Sequence, residues 1–119
     1  MAGTIENTNG KIAIDKKVIE DYAGHAALDC FGIVGMASTG MKDGIVKMLK
    51  GDSISRGVIV EKDENEQLII EFHIIVAYGV GIPAVVKNLS SNVKYQVEDY
   101  TGMKVKAVNV YVEGVRVID

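Results

Sequence analysis

Leu68–Val86 reads LIIEFHIIVAYGVGIPAVV, and how this run divides decides the fold. Its nineteen residues hold one formally charged side chain, Glu71. A membrane-spanning helix is therefore the first reading to test. Glu71, His73 and the GVGIP break before Ala84 oppose it, because such a span is continuous and predominantly apolar. The run reads better as a strand, Leu68–Tyr78, then a glycine turn, then the start of a helix at Pro83. Within the strand, Leu68, Ile70, Phe72, Ile74 and Val76 alternate onto one wholly apolar face. Ile69, Glu71, His73, Ile75 and Ala77 fall on the other, mixed face. That pattern predicts a sheet covered by helices on one side and partly open on the other.

Working downstream, Pro83 suits the first turn of a helix. Val86, Leu89, Val93, Val97 and Tyr100 then recur at spacings of three and four, predicting a helix over Pro83–Thr101 that stops at Gly102. Lys104–Val112 (KVKAVNVYV) reads as the closing strand, with Gly114 interrupting it. Working upstream, Gly57–Glu61 (GVIVE) pairs with the long strand in a hairpin around the acidic tip Asp63–Glu66. Earlier still, Lys11–Ile14 predicts a short strand. Asp15 is placed to N-cap a helix over Lys16–Cys30, with Ile14 and Ile19 as a hydrophobic staple and Gly32 as the stop. Ile33–Ala37 reads as a strand, Asp43–Lys50 as a short amphipathic helix, and the residues after it as a polar loop. Residues 1–9 are expected to be loose, and 10–119 to form a single domain. The expected fold class is α+β: a two-layer sandwich of two long helices on a mostly antiparallel sheet.

Composition narrows the function classes. The chain has 119 residues, 48% hydrophobic and 24% charged, as in one folded domain. A net charge of −3 and 6% aromatic residues leave both phosphate pairing and base stacking poorly supplied, so nucleic acid is not the expected partner. Cys30 is the single cysteine, which rules out an internal disulfide and fits a reducing, cytoplasmic compartment. MAGTIENTNG has no basic start or apolar core, so no signal peptide is expected there.

Few residues carry a chemical signature. His25 and Asp29 are four apart and share a helix face, as a surface pair or an acid–base pair. Cys30 sits at a helix C-terminus, the wrong end for lowering a thiol pKa, so a small buried residue is its expected role. His25 and His73 are the two histidines, and with one cysteine they make no tetrahedral zinc set. YGVGIP at Tyr78–Pro83 opens a helix with glycines, either as a turn or as an anion cradle. It lacks the lysine and hydroxyl of a P-loop. Ala23, Gly24, Ala26 and Ala27 permit close backbone approach, either to the chain's own sheet or to a partner or second copy. Gly24, His25, Tyr78, Gly79, Gly81 and Pro83 are thus the candidate interaction or anion-binding surface. No catalytic residue, metal or cofactor is expected.

These segments together resemble a known family. GKIAID (Gly10–Asp15), VIEDYAGHAALDCFGIVGMAS (Val18–Ser38), SRGVIV (Ser55–Val60), IIVAYGVGIPAV (Ile74–Val85) and VKYQVEDYTGMKVKAVNVYVEGVRV (Val93–Val117) resemble the alkaline shock protein family of Gram-positive bacteria, within it the YloU-like members. The resemblance implies a non-enzymatic cytoplasmic protein linked to cell-envelope stress and homeostasis. It implies a protein partner, either a membrane anchor or a lipid-metabolic enzyme. The resemblance further implies that some relatives are held near the membrane by a separate anchor, that YloU-like members tend to be encoded beside a fatty-acid kinase, and that relatives are encoded beside acetyl-CoA carboxylase genes. Membrane association would be indirect, at the inner face, and a homo-oligomer stays open. A small-molecule or lipid-binding regulator is the alternative, with an acyl chain between helix and sheet.

Overall fold

A computed structural model describes residues 4–7, 10–13, 15–38, 48–49 and 51–117. In chain order the elements are β1 (Thr4–Asn7), β2 (Gly10–Ala13), α1 (Lys16–Leu28), β3 (Ile33–Ala37), β4 (Met48–Leu49), a 3-10 helix (Gly51–Gly57), β5 (Val58–Lys62), β6 (Leu68–Ala77), α2 (Ile82–Thr101) and β7 (Val105–Arg116). The chain is α+β, with two helices and a mostly antiparallel sheet. No helix among the described residues is long and apolar enough to cross a membrane. Leu68–Val86 divides into strand, turn and helix as its alternation predicts.

β6 organises the sheet. β7 runs parallel to it along its whole length, from Leu68↔Val105 to Ala77↔Arg116. β5 pairs antiparallel with its first half, Val58↔Phe72 to Lys62↔Leu68. β3 pairs antiparallel with its second half, Ile33↔Val76 to Met36↔Ile74. Since β7 occupies one edge throughout, β5 and β3 lie end to end along the other. β4 continues outward from β3. The parallel pair follows from α2, because a strand–helix–strand crossover returns the chain in the same direction.

The alternation of β6 places the core. Leu68, Ile70, Phe72, Ile74 and Val76 are buried in one cluster with Ile19, Ala23 and Ala27 of α1 and Val85, Leu89, Val93 and Val97 of α2. Helix carboxylates satisfy two strand amides, one in the middle of β5 and one at the start of β7: Glu20 Oε2 accepts from the Val60 amide at 3.3 Å and Glu98 Oε2 from the Val105 amide at 2.8 Å. Burial raises the Glu20 pKa, against the Val60 hydrogen bond and Lys16, which lower it. At the hairpin tip Asp63 Oδ1 accepts from the Asn65 and Gln67 amides at 2.9 and 2.8 Å.

Several expectations shift. The buried stripe of α2 is Val85, Leu89, Val93, Val97 and Thr101, in place of one running from Val86 to Tyr100. A four-residue ridge carries it, and Thr101 tolerates burial because its hydroxyl donates to Val97 O at 2.7 Å and accepts from the Met103 amide at 3.0 Å. Tyr100 turns outward and stacks on Tyr22 of α1 at 4.2 Å. Thr4–Asn7, read as part of a loose tail, is a strand paired with Gly10–Ala13. Asp15 caps α1, accepting from the Lys17 amide at 3.2 Å, while Ile14 of the expected staple lies outside the described residues. Most of the helix expected over 43–50 also lies outside them; Met48–Leu49 is strand. The expected polar loop contains the 3-10 helix, with Ile54 buried. β7 continues past Val112 to Arg116 because the register slips by one residue between Ile74 and Ile75, leaving Glu113 as the extra residue of a bulge.

Candidate interaction surface

Three segments converge at one end of β6. The Ala77 amide donates to Gly32 O at 3.0 Å, tying β6 to the turn after α1. The Tyr78 amide donates to Arg116 O at 2.7 Å, tying it to the end of β7. Gly32 has φ +85°, and a Cβ there would sit 2.6 Å from Val85 Cγ2, so the turn passes tightly over the first turn of α2. With the backbone groups tied down, the neighbouring side chains stand out. Phe31 and Tyr78 are each 74% exposed, Val117 is 73% exposed, and Ile82 is also exposed. Isolated exposed apolar residues are ordinary, but Phe31, Tyr78 and Val117 stand on segments that these two hydrogen bonds bring together.

The candidate residues divide. Tyr78, Gly79, Gly81 and Pro83 belong to this end. Gly79 has φ +90°, a conformation the turn needs and only glycine adopts cheaply. Gly81 N-caps α2 without a side-chain hydrogen bond, and Pro83 lies in the first turn. Pro83 has no amide proton, which removes one donor from any anion held there. Gly24 is elsewhere and is not on the surface: it is buried in α1, where a Cβ would meet Ile54 Cγ2 at 2.8 Å. The small residues of α1 admit the 3-10 helix. His25 is exposed on α1 and lies 3.6 Å from Asp21, not against Asp29. Asp29 instead C-caps the helix. Cys30 is buried; its Sγ donates to Ala26 O at 3.5 Å and accepts from Asn92 Nδ2 at 3.7 Å.

A second cluster lies on the mixed face of β6. His73 Nε2 meets Glu71 Oε2 at 2.7 Å and Nδ1 meets Glu113 Oε2 at 2.5 Å. The ring stacks on Tyr111, with centroids 5.0 Å apart. The alternation of β6 puts Glu71 beside His73. Glu113 arrives from β7 through the bulge, which sequence reasoning missed. Burial opposes the imidazolium, but the hydrogen bonds it donates to Glu113 and Glu71 and their charges outweigh it, so the His73 pKa is raised above 6.5. With both nitrogens held by carboxylates, the ring offers no free position to a substrate proton. Among the described residues no group of His, Cys, Asp and Glu is arranged to hold a metal ion.

The raised pKa fixes a sign. Stability from the His73 cluster is fully present below the ordinary histidine pKa and is lost as pH rises through the higher folded value. Urea midpoints should therefore fall as pH rises above the ordinary histidine value, and that part of the fall should vanish in His73→Gln.

Comparison with known proteins accords with the sequence pattern. Over 109 residues the chain is 49% identical to the uncharacterised protein YloU of Bacillus subtilis, covering 91% of this chain and 90% of that protein. It is 33% identical over 119 residues to the uncharacterised protein Spy1614 of Streptococcus pyogenes, covering 99% and 98%. A stress response regulator gls24 homologue of Streptococcus pyogenes is 28% identical over 110 residues, 90% of this chain and 59% of that protein. No solved structure matches the chain. The model of the alkaline shock protein 23 family, described as having a cell envelope-related function, matches residues 4–117. The chain accordingly belongs to the alkaline shock protein 23 family, as a YloU-like member.

Proposed function

We propose that this chain is a non-enzymatic interaction module of the cytoplasm that serves cell-envelope homeostasis by docking a protein partner through the Phe31–Tyr78–Ile82–Val117 end. One observation carries the reading: two aromatic side chains, each 74% exposed, stand on adjoining loops whose backbones are hydrogen-bonded into the sheet. Rigid aromatic anchors of this kind lose little entropy on binding and dominate interface energetics. Family membership supplies the envelope context. The partner is a membrane anchor or a lipid-metabolic enzyme, so membrane association is indirect and peripheral, and the fatty-acid link runs through that partner. In this reading α1 and α2 form one layer on the sheet of a two-layer sandwich and hold the end surface rigid. The alternative of an acyl chain between helices and sheet would have to displace Phe72, Ile74 and Leu89, all wholly buried.

Phe31→Asp with Tyr78→Asp tests the surface. Both positions are exposed, so the variant should keep its circular dichroism and thermal midpoint. Loss of two anchors at about 2 kcal/mol each should weaken partner binding more than 100-fold. Crosslinked pull-downs from membrane and soluble fractions, quantified by mass spectrometry, read the effect. A partner retained at wild-type level would refute the assignment.

A further inference from the structure

The His73 cluster lies on the mixed face of β6 and supplies no side chain to the proposed docking end, and its arrangement asks what it does. Two carboxylates from two strands share one imidazole. Glu71 lies two residues from His73 on β6. Glu113 is the extra residue of the β7 bulge, between the register pairs Ile74↔Val112 and Ile75↔Gly114. A protonated imidazole donates to both carboxylates. A neutral imidazole has one N–H and turns a lone pair toward the other carboxylate, at contact distance. That second contact is then repulsive and must open.

We propose that Glu71, His73, Tyr111 and Glu113 form a proton-operated latch on the end of β7: the imidazolium ties the Glu113 bulge to β6, and loss of its proton frees Glu113 and the strand end after it. Glu113 is the carboxylate that leaves, because a bulge residue has no partner in register and moves at lower cost than Glu71 inside the central strand. The neutral ring keeps its proton on Nε2, toward Glu71. Gly114–Val117 follow the bulge directly, and Arg116 O holds the Tyr78 amide.

The groups facing His73 fit this behaviour. On its own strand Glu71 is the ionisable neighbour. β7 contributes Glu113, with Tyr111 stacked on the ring and Asn109 in register with Glu71. β5 places Ile59 opposite Glu71 and Glu61 opposite Ile69 on the same side. β3 places Gly35 opposite Ile75. Arg116 faces that side opposite Ala77 and has contacts of its own. The His73 proton thus sits between two carboxylates, and its departure removes the charge that Glu71 and Glu113 share through the ring.

The latch is a property of the folded chain, and its test involves no partner. Full-length protein labelled with 15N and 13C is titrated by NMR, with His25→Asn assigning the two imidazoles. Expected are a His73 midpoint above 6.5, an Nε2–H tautomer above it, and Glu113–Val117 amide shifts with the same midpoint. Glu113→Gln should lower the His73 midpoint by about one pH unit and uncouple the Gly114–Val117 amides from it. A midpoint at or below 6.5, an Nδ1–H tautomer, or Gly114–Val117 amides indifferent to His73 would each overturn the proposal. The wild-type titration decides these three points even if the variant fails to fold.

Discussion

Gly32→Val is expected to destabilise the chain by about 4 kcal/mol. The backbone at Gly32 has φ +85°, and an L-residue there costs roughly 1–2 kcal/mol, more for a β-branched one. The added Cβ would also lie 2.6 Å from Val85 Cγ2, and overpacking of a close-packed contact costs about 1–3 kcal/mol. A thermal midpoint lowered by roughly 15 °C is the expected reading for a domain of this size. The loss should be far smaller at Gly79, whose φ is +90° but whose Cβ would meet nothing within 4 Å. Gly79→Ala thus isolates the backbone cost. Equal losses at the two positions would show that the contact with Val85 contributes little.

Phe72→Ala should cost a similar amount by the opposite route. Phe72 is the largest of the fully buried side chains and lies mid-strand in β6, opposite Val58 and Val110. Truncating a buried phenylalanine costs about 3–5 kcal/mol, the lost transfer energy plus the cavity left behind. Denaturant unfolding should show a lower midpoint with little change in slope. The same truncation at Phe31, 74% exposed, should stay within about 0.5 kcal/mol of wild type. Together the two phenylalanines separate the core from the end surface: one holds the fold, and the other is free to serve contact.

The elements that strict periodicity marks were legible before the structure. The alternation of Leu68–Ala77, the caps at Asp15 and Gly102, and the Asp63–Glu66 hairpin all depend on neighbours within a few residues, which a linear reading contains. Features set by distant pairing were not. The α2 stripe was misplaced by one residue at each end, because a satisfied Thr101 can be buried where Tyr100 looks more apolar. Gly24 read as a surface for a partner, but Ile54, thirty positions on, fills the space beside it. His73 and Glu71 could be placed on one face, whereas Glu113 joins them through a parallel pairing and a bulge that no local pattern announces. Of the candidate surface, the Tyr78–Pro83 turn was visible in its glycines. Phe31 and Val117 join it through hydrogen bonds at Gly32 and Arg116, which a sequence does not show.

A photocrosslinking amino acid placed at two matched positions tests docking at the end of β6. Tyr78 and Tyr95 are both 74% exposed, but Tyr95 lies about 20 Å along α2 from the start of the helix. Each would be replaced in turn in the host, irradiated, and its adducts identified from membrane and soluble fractions. A specific adduct with an envelope or lipid-metabolic protein is expected from position 78 and none from position 95. Adducts from position 95 alone, or the same adducts from both, would contradict docking at the end of β6.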